Sequence, residues 1–158
     1  MEEGEKHMNW SEKCLLELTH HNMFESADHR LRYRDLLDCF HTAVFFTKSL
    51  AKCMYTATWD EYHFAELLIT LNEMTIGGDE DCSLIKEQLE INEASSSSSE
   101  ANIFRLCLCF LNGTHYIEPD YPEIDSEVAH IIKQALQVSV YIDELPEIVH
   151  EKSRRYQL

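Results

Sequence analysis

Polar and apolar residues alternate along this chain with the period of an α-helix. Asn9-Trp-Ser-Glu12 has the form of a capping box, and Trp10, Cys14, Leu15 and Leu18 follow at helical spacing. A second helix is expected to start near Ser26 or Asp28, with Tyr33, Leu37, Phe40 and Val44 on one face. Thr47 is placed to cap a short third helix carrying Leu50, Cys53 and Met54. Thr58-Trp-Asp-Glu61 reads as another capping box. The helix after it has Phe64, Ala65, Leu67, Leu68, Ile69 and Leu71 nearly encircling it, and Gly77-Gly78 ends it. A helix apolar almost all round is expected to be central, so 59–76 and 126–144 are the predicted core of the fold.

Residues 81–93 predict a weaker helix with Leu84, Ile85, Leu89 and Ile91. Five consecutive serines, Ser95–Ser99, then suggest a flexible loop over 94–99 between two helical halves. Ser97 with Glu100 caps a very apolar run, Ile103–Leu111, that Asn112-Gly113 stops. A buried strand is the alternative for that run; the cap and the stop favour a helix. Pro119, Pro122, Tyr116 and Tyr121 mark an extended loop, Asp125 caps the last long helix, and Pro146 breaks it ahead of a tail over 146–158. The whole predicts one all-α domain over 1–158, a bundle of about five to six helices. Gly (four) and Pro (three) are too few for an all-β meander.

Charge changes the picture most. The net charge is −16. Residues 60–100 hold eleven Asp or Glu against Lys86, and residues 118–147 hold eight against Lys133. The first 59 residues are near neutral, with nine acids and seven bases. Such segregation makes a directional field that repels nucleic acid and anionic membranes and favours a basic partner. The acidic segment Asp79, Glu80, Asp81, Glu87, Glu90 and Glu93 is the expected contact surface for a basic protein, a nucleic-acid-binding one in the specific form where spaced carboxylates imitate phosphates. Arg30, Arg32 and Arg34 are expected to pair with the protein's own carboxylates rather than with phosphate. The tail carries Lys152, Arg154 and Arg155.

Catalytic signatures are scarce. The chain has no Gly-rich phosphate loop, no Gly-x-Ser-x-Gly and no His-Glu-x-x-His. The expectation is therefore a protein that is not an enzyme and needs no cofactor. Six cysteines (Cys14, Cys39, Cys53, Cys82, Cys107, Cys109) include no Cys-x-x-Cys and mostly fall on apolar faces, as reduced core residues do. An acid precedes His by three residues at Glu17/His20, Asp38/His41, Asp60/His63, Glu127/His130 and Glu147/His150. Paired Glu-x-x-His motifs build di-iron sites in helical bundles, so Asp60, His63, Glu66, Glu127 and His130 form the alternative, metal-binding reading. Exposed ion pairs are the simpler use of the same spacing.

Phe45-Phe-Thr-Lys-Ser-Leu-Ala-Lys-Cys-Met-Tyr-Thr-Ala-Thr-Trp-Asp-Glu-Tyr-His-Phe64, with the later stretch from Ile131 to Leu145, resembles a family of small helical proteins of gut Clostridia and related Firmicutes, often encoded near mobile elements. The resemblance spans about half the chain and brings no catalytic motif. It implies a bacterial cytoplasmic setting, compatible with free cysteines, and a protein that inhibits or neutralises a partner.

Overall fold

The computed structural model describes residues 8–117 and 124–150, and the residues described contain helices and no strand. Among the described residues seven helices follow one another: α1 (Trp10–His20), α2 (Ala27–Phe40), α3 (Lys48–Ala57), α4 (Glu61–Gly77), α5 (Ser83–Ser95), α6 (Ser98–Asn112) and α7 (Ser126–Asp143). The all-α class is as expected; the number of helices exceeds the five to six predicted. Tyr121 and the tail cations Lys152, Arg154 and Arg155 lie outside the described residues.

Local capping sets most boundaries. Asn9 and Glu12 make both bonds of the capping box. Ser26, Thr47 and Ser97 each accept the expected backbone N–H. Gly78 closes α4 at φ +71°, a conformation that costs glycine little. Thr58 departs from expectation. Its hydroxyl turns back to the Met54 and Tyr55 carbonyls and finishes α3, while Asp60 is the residue that caps α4. Val44 lies beyond the end of α2 and is exposed.

The serine run forms a tight connection in place of the expected loop. Ser95 is the last residue of α5, with its hydroxyl on the Ile91 carbonyl, and Ser98 is the first of α6. Only Ser96 and Ser97 join the two helices, which fold back on one another as a hairpin.

The centre of the bundle is α3. It packs against α2, α4, α6 and α7, and it buries Leu50, Ala51, Cys53, Met54, Tyr55 and Thr56. Ala51 and Cys53 are small enough to let neighbouring helices approach closely. Its two lysines reach the end of α7. Lys48 Nζ donates to the carbonyls of Asp143 (3.2 Å) and Leu145 (2.7 Å), and Lys52 pairs with Asp143 at 2.7 Å. Cations at a helix C-terminus complement its dipole. Of the two helices expected to be central, α4 is not. It buries His63, Leu67, Thr70, Leu71 and Met74 but leaves Tyr62, Ile69 and Ile76 at 62, 59 and 88% exposure. Its apolar residues go all round because it has two separate apolar stripes, one of them facing outward.

Candidate functional site

The chain turns between α3 and α4, and this corner gathers Arg32, Asp60, His63 and Glu100. Asp60 caps α4, and its Oδ1 accepts the His63 backbone N–H (2.8 Å) and the His63 Nδ1–H (2.7 Å). Across the interface, Glu100 sits in the first turn of α6. Its Oε1 lies 2.7 Å from His63 Nε2. Each ring nitrogen therefore donates to a carboxylate, which is the hydrogen-bonding pattern of the imidazolium. Burial pushes the His63 pKa down, but the bond and charge of Asp60, then Glu100, outweigh it and hold it above the usual histidine value. Burial likewise works to raise Asp60, and the His63 side chain and backbone overcome it and lower its pKa. The bridge is walled by Trp59, stacked on the ring at 5.6 Å and 29°, and by Phe104.

Arg32 of α2 fixes the same corner. Its Nε donates to the Thr58 carbonyl (2.8 Å) and its Nη2 to the Trp59 carbonyl (2.9 Å). Among the described residues, the expected pairing of the three arginines with carboxylates holds for Arg34 alone, 3.6 Å from Asp35. Arg30 bonds the Thr19 hydroxyl.

Two hollows flank the corner. Behind His63, between α4, α5 and α6, is a small apolar cavity of about 40 Å³, room for a water or two. In front, between α2 and the start of α4, an open groove encloses about 980 Å³. Leu31, Trp59, Phe64 and Ala65 supply its apolar surface, and Asp28, Asp35 and Glu61 its charge. Tyr62 also lines it, and the neighbouring Glu66 carboxylate raises the Tyr62 pKa.

The structure divides the residues singled out from sequence. Asp79 accepts the Asp81 and Leu84 backbone N–H groups and Asp81 those of Ser83, so both build the α4–α5 turn. Glu93 pairs with Arg105 at 2.7 Å. Glu80, Glu87 and Glu90 are exposed and unpaired among the described residues. The proposed metal ligands are not brought together. Asp60 and His63 bind each other, and His130 pairs with Glu25 at 2.8 Å rather than turning inward with Glu127. The helices bearing the two halves, α4 and α7, do not pack on one another, and no group of three or more His, Cys, Asp or Glu among the described residues is arranged to hold a metal ion. Of the five acid-x-x-His pairs, only Asp60/His63 forms as an ion pair there; Glu17, for instance, binds His21 instead.

Burial protects Cys14, Cys53, Cys82 and Cys107, while Cys39 is exposed and Cys109 half-buried. The Cys14 pKa is pushed up to about 12 and that of Cys82 to about 11, chiefly by loss of solvation, so these thiols stay protonated and poorly nucleophilic. All six cysteines are free.

Two features escaped the sequence. Glu100 is 37 residues from His63, and no local pattern joins them. The outward stripe of α4 did carry a signal, because Tyr62, Ala65, Ile69, Asn72 and Ile76 recur at the 3–4 spacing of a helix–helix seam. No family model, curated protein or solved structure matches this chain.

Proposed function

We propose that this protein is a non-enzymatic acidic binding protein that docks on a basic partner surface. The observation that carries this reading is the unneutralised charge of α4 and α5. Residues 60–95 hold ten acids against Lys86. Glu61, Glu73, Glu80, Glu87 and Glu90 stand exposed with no ionic partner among the described residues. Like charges crowded on one side oppose the compact state, and a basic partner relieves that repulsion while its association is steered by the field.

The test is capture by the full-length protein from lysate of its host at two salt concentrations. A basic partner is retained at about 50 mM salt and released by about 0.5 M, where screening shortens to a few Å. A partner indifferent to salt, or none at low salt, contradicts the reading. In the form where carboxylates stand in for phosphates, duplex DNA displaces the protein from that partner in competition.

A further inference from the structure

We infer that the groove between α2 and α4, continued along the outer face of α4, seats a cationic amphipathic helix of the partner; the inference rests on the binding function proposed above. The first support is geometric. Tyr62, Ala65, Ile69 and Ile76 form one exposed row along α4, opposite the buried row of His63, Leu67, Leu71 and Met74. Leu31, 41% exposed, adds an apolar side chain from α2 beside the start of that row. The 17 residues of α4 run about 25 Å, the length of a four- to five-turn partner helix. Such a helix would present apolar residues at i, i+3 or i+4, and i+7.

The second support is charge, and it selects the occupant. α4 contains no Lys or Arg. Glu61 and Glu73 flank its exposed row, with Asp28 and Asp35 across the groove. Among the described residues, the one cation lining the groove, Arg32, is engaged by the Thr58 and Trp59 carbonyls, and exposed Arg34 has its own Asp35. A second copy of this chain laid on the same face would set carboxylates against carboxylates. A helix with lysines or arginines beside its apolar row meets both requirements at once. One helix buries less than the roughly 800 Å² per partner of a standard interface, so the expected affinity is micromolar and salt-sensitive.

The test titrates the full-length protein into a labelled, synthetic 18-residue leucine–lysine amphipathic helix, followed by fluorescence anisotropy. The peptide binds in the micromolar range at low salt, and a scrambled peptide of the same composition binds at least tenfold more weakly. The double substitution Ala65→Lys with Ile69→Lys, both at exposed positions, weakens binding at least tenfold. Glu87→Gln with Glu90→Gln, which shifts the charge by the same two units on α5, changes it less than threefold. Equal binding of the scrambled peptide, or equal loss in both double variants, overturns the seat while leaving an acidic binding protein intact. No binding of either peptide removes both. A dimer in size-exclusion chromatography that Ile69→Lys converts to monomer assigns the face to a second copy and also overturns the inference.

Discussion

His29 and His63 are both buried, yet their hydrogen bonds demand opposite charges. His29 Nδ1 accepts the Glu25 backbone N–H (3.2 Å), and its Nε2–H faces the Tyr55 carbonyl (3.1 Å), so the ring is satisfied as the neutral tautomer. Burial lowers its pKa to about 4. His63 faces two carboxylates and is held protonated above its ordinary value. The pH consequences have opposite signs. Between pH 6.5 and 4 the unfolded chain protonates at His29 while the folded one resists, so stability falls with falling pH, by up to about 3 kcal/mol. Above 6.5 the folded chain keeps a proton on His63 that the unfolded chain has lost, so the bridge's contribution, complete below 6.5, fades as pH rises through the raised value. Urea denaturation across pH is expected to give a maximum near 6.5. His63→Gln should cost about 2 kcal/mol at pH 6, a figure limited by screening because its two carboxylates are over a third exposed, and clearly less at pH 9, where the ring has lost its proton. A variant equally destabilised at both pH values would show that His63 acts by packing alone.

At the scale of helices, the sequence was readable wherever a boundary depended on neighbours in the chain. Asn9 with Glu12, Thr47, Ser97, Gly78 and Gly113 all act within a few residues and were recognisable. Thr58 was misread because a hydroxyl can serve the helix behind it as well as the one ahead. The rank of the helices was hidden. α3 is short and carries two lysines, and its centrality comes mainly from α6 and α7, which are distant in sequence. α4 looked central because its apolar residues surround it, although one of its two rows faces out. Substitution separates the two. Met54→Ala, in α3, should cost about 2–5 kcal/mol by cavity formation. Ile76→Ala, 88% exposed on α4, should stay within about 0.5 kcal/mol. Comparable losses at both positions would restore α4 to the core.

The whole molecule carries −16 in a structure whose acids on α4 and α5 are mostly unpaired. Self-repulsion of that kind is screened by salt, so raising NaCl to about 0.5 M should lift the thermal midpoint by about 3 °C. A midpoint that falls would show that the ion pairs of the corner, and not the repulsion, dominate. The same field gave the sequence its clearest functional hint, but it directed attention to Asp79–Glu93. In the folded chain Asp79, Asp81 and Glu93 have structural partners, while Glu80, Glu87 and Glu90 stay exposed; α4 adds to its free carboxylates a longer exposed apolar row, Tyr62, Ala65, Ile69 and Ile76. The distinction depends on which residues face outward, and net charge along a chain does not contain that information. Backbone-amide chemical shifts measured as the leucine–lysine helix is added test the central claim most directly. The account predicts perturbations concentrated on Tyr62–Ile76 and Asp28–Asp35. Perturbations centred on Glu80–Glu93, or spread evenly over every acidic surface, would contradict it.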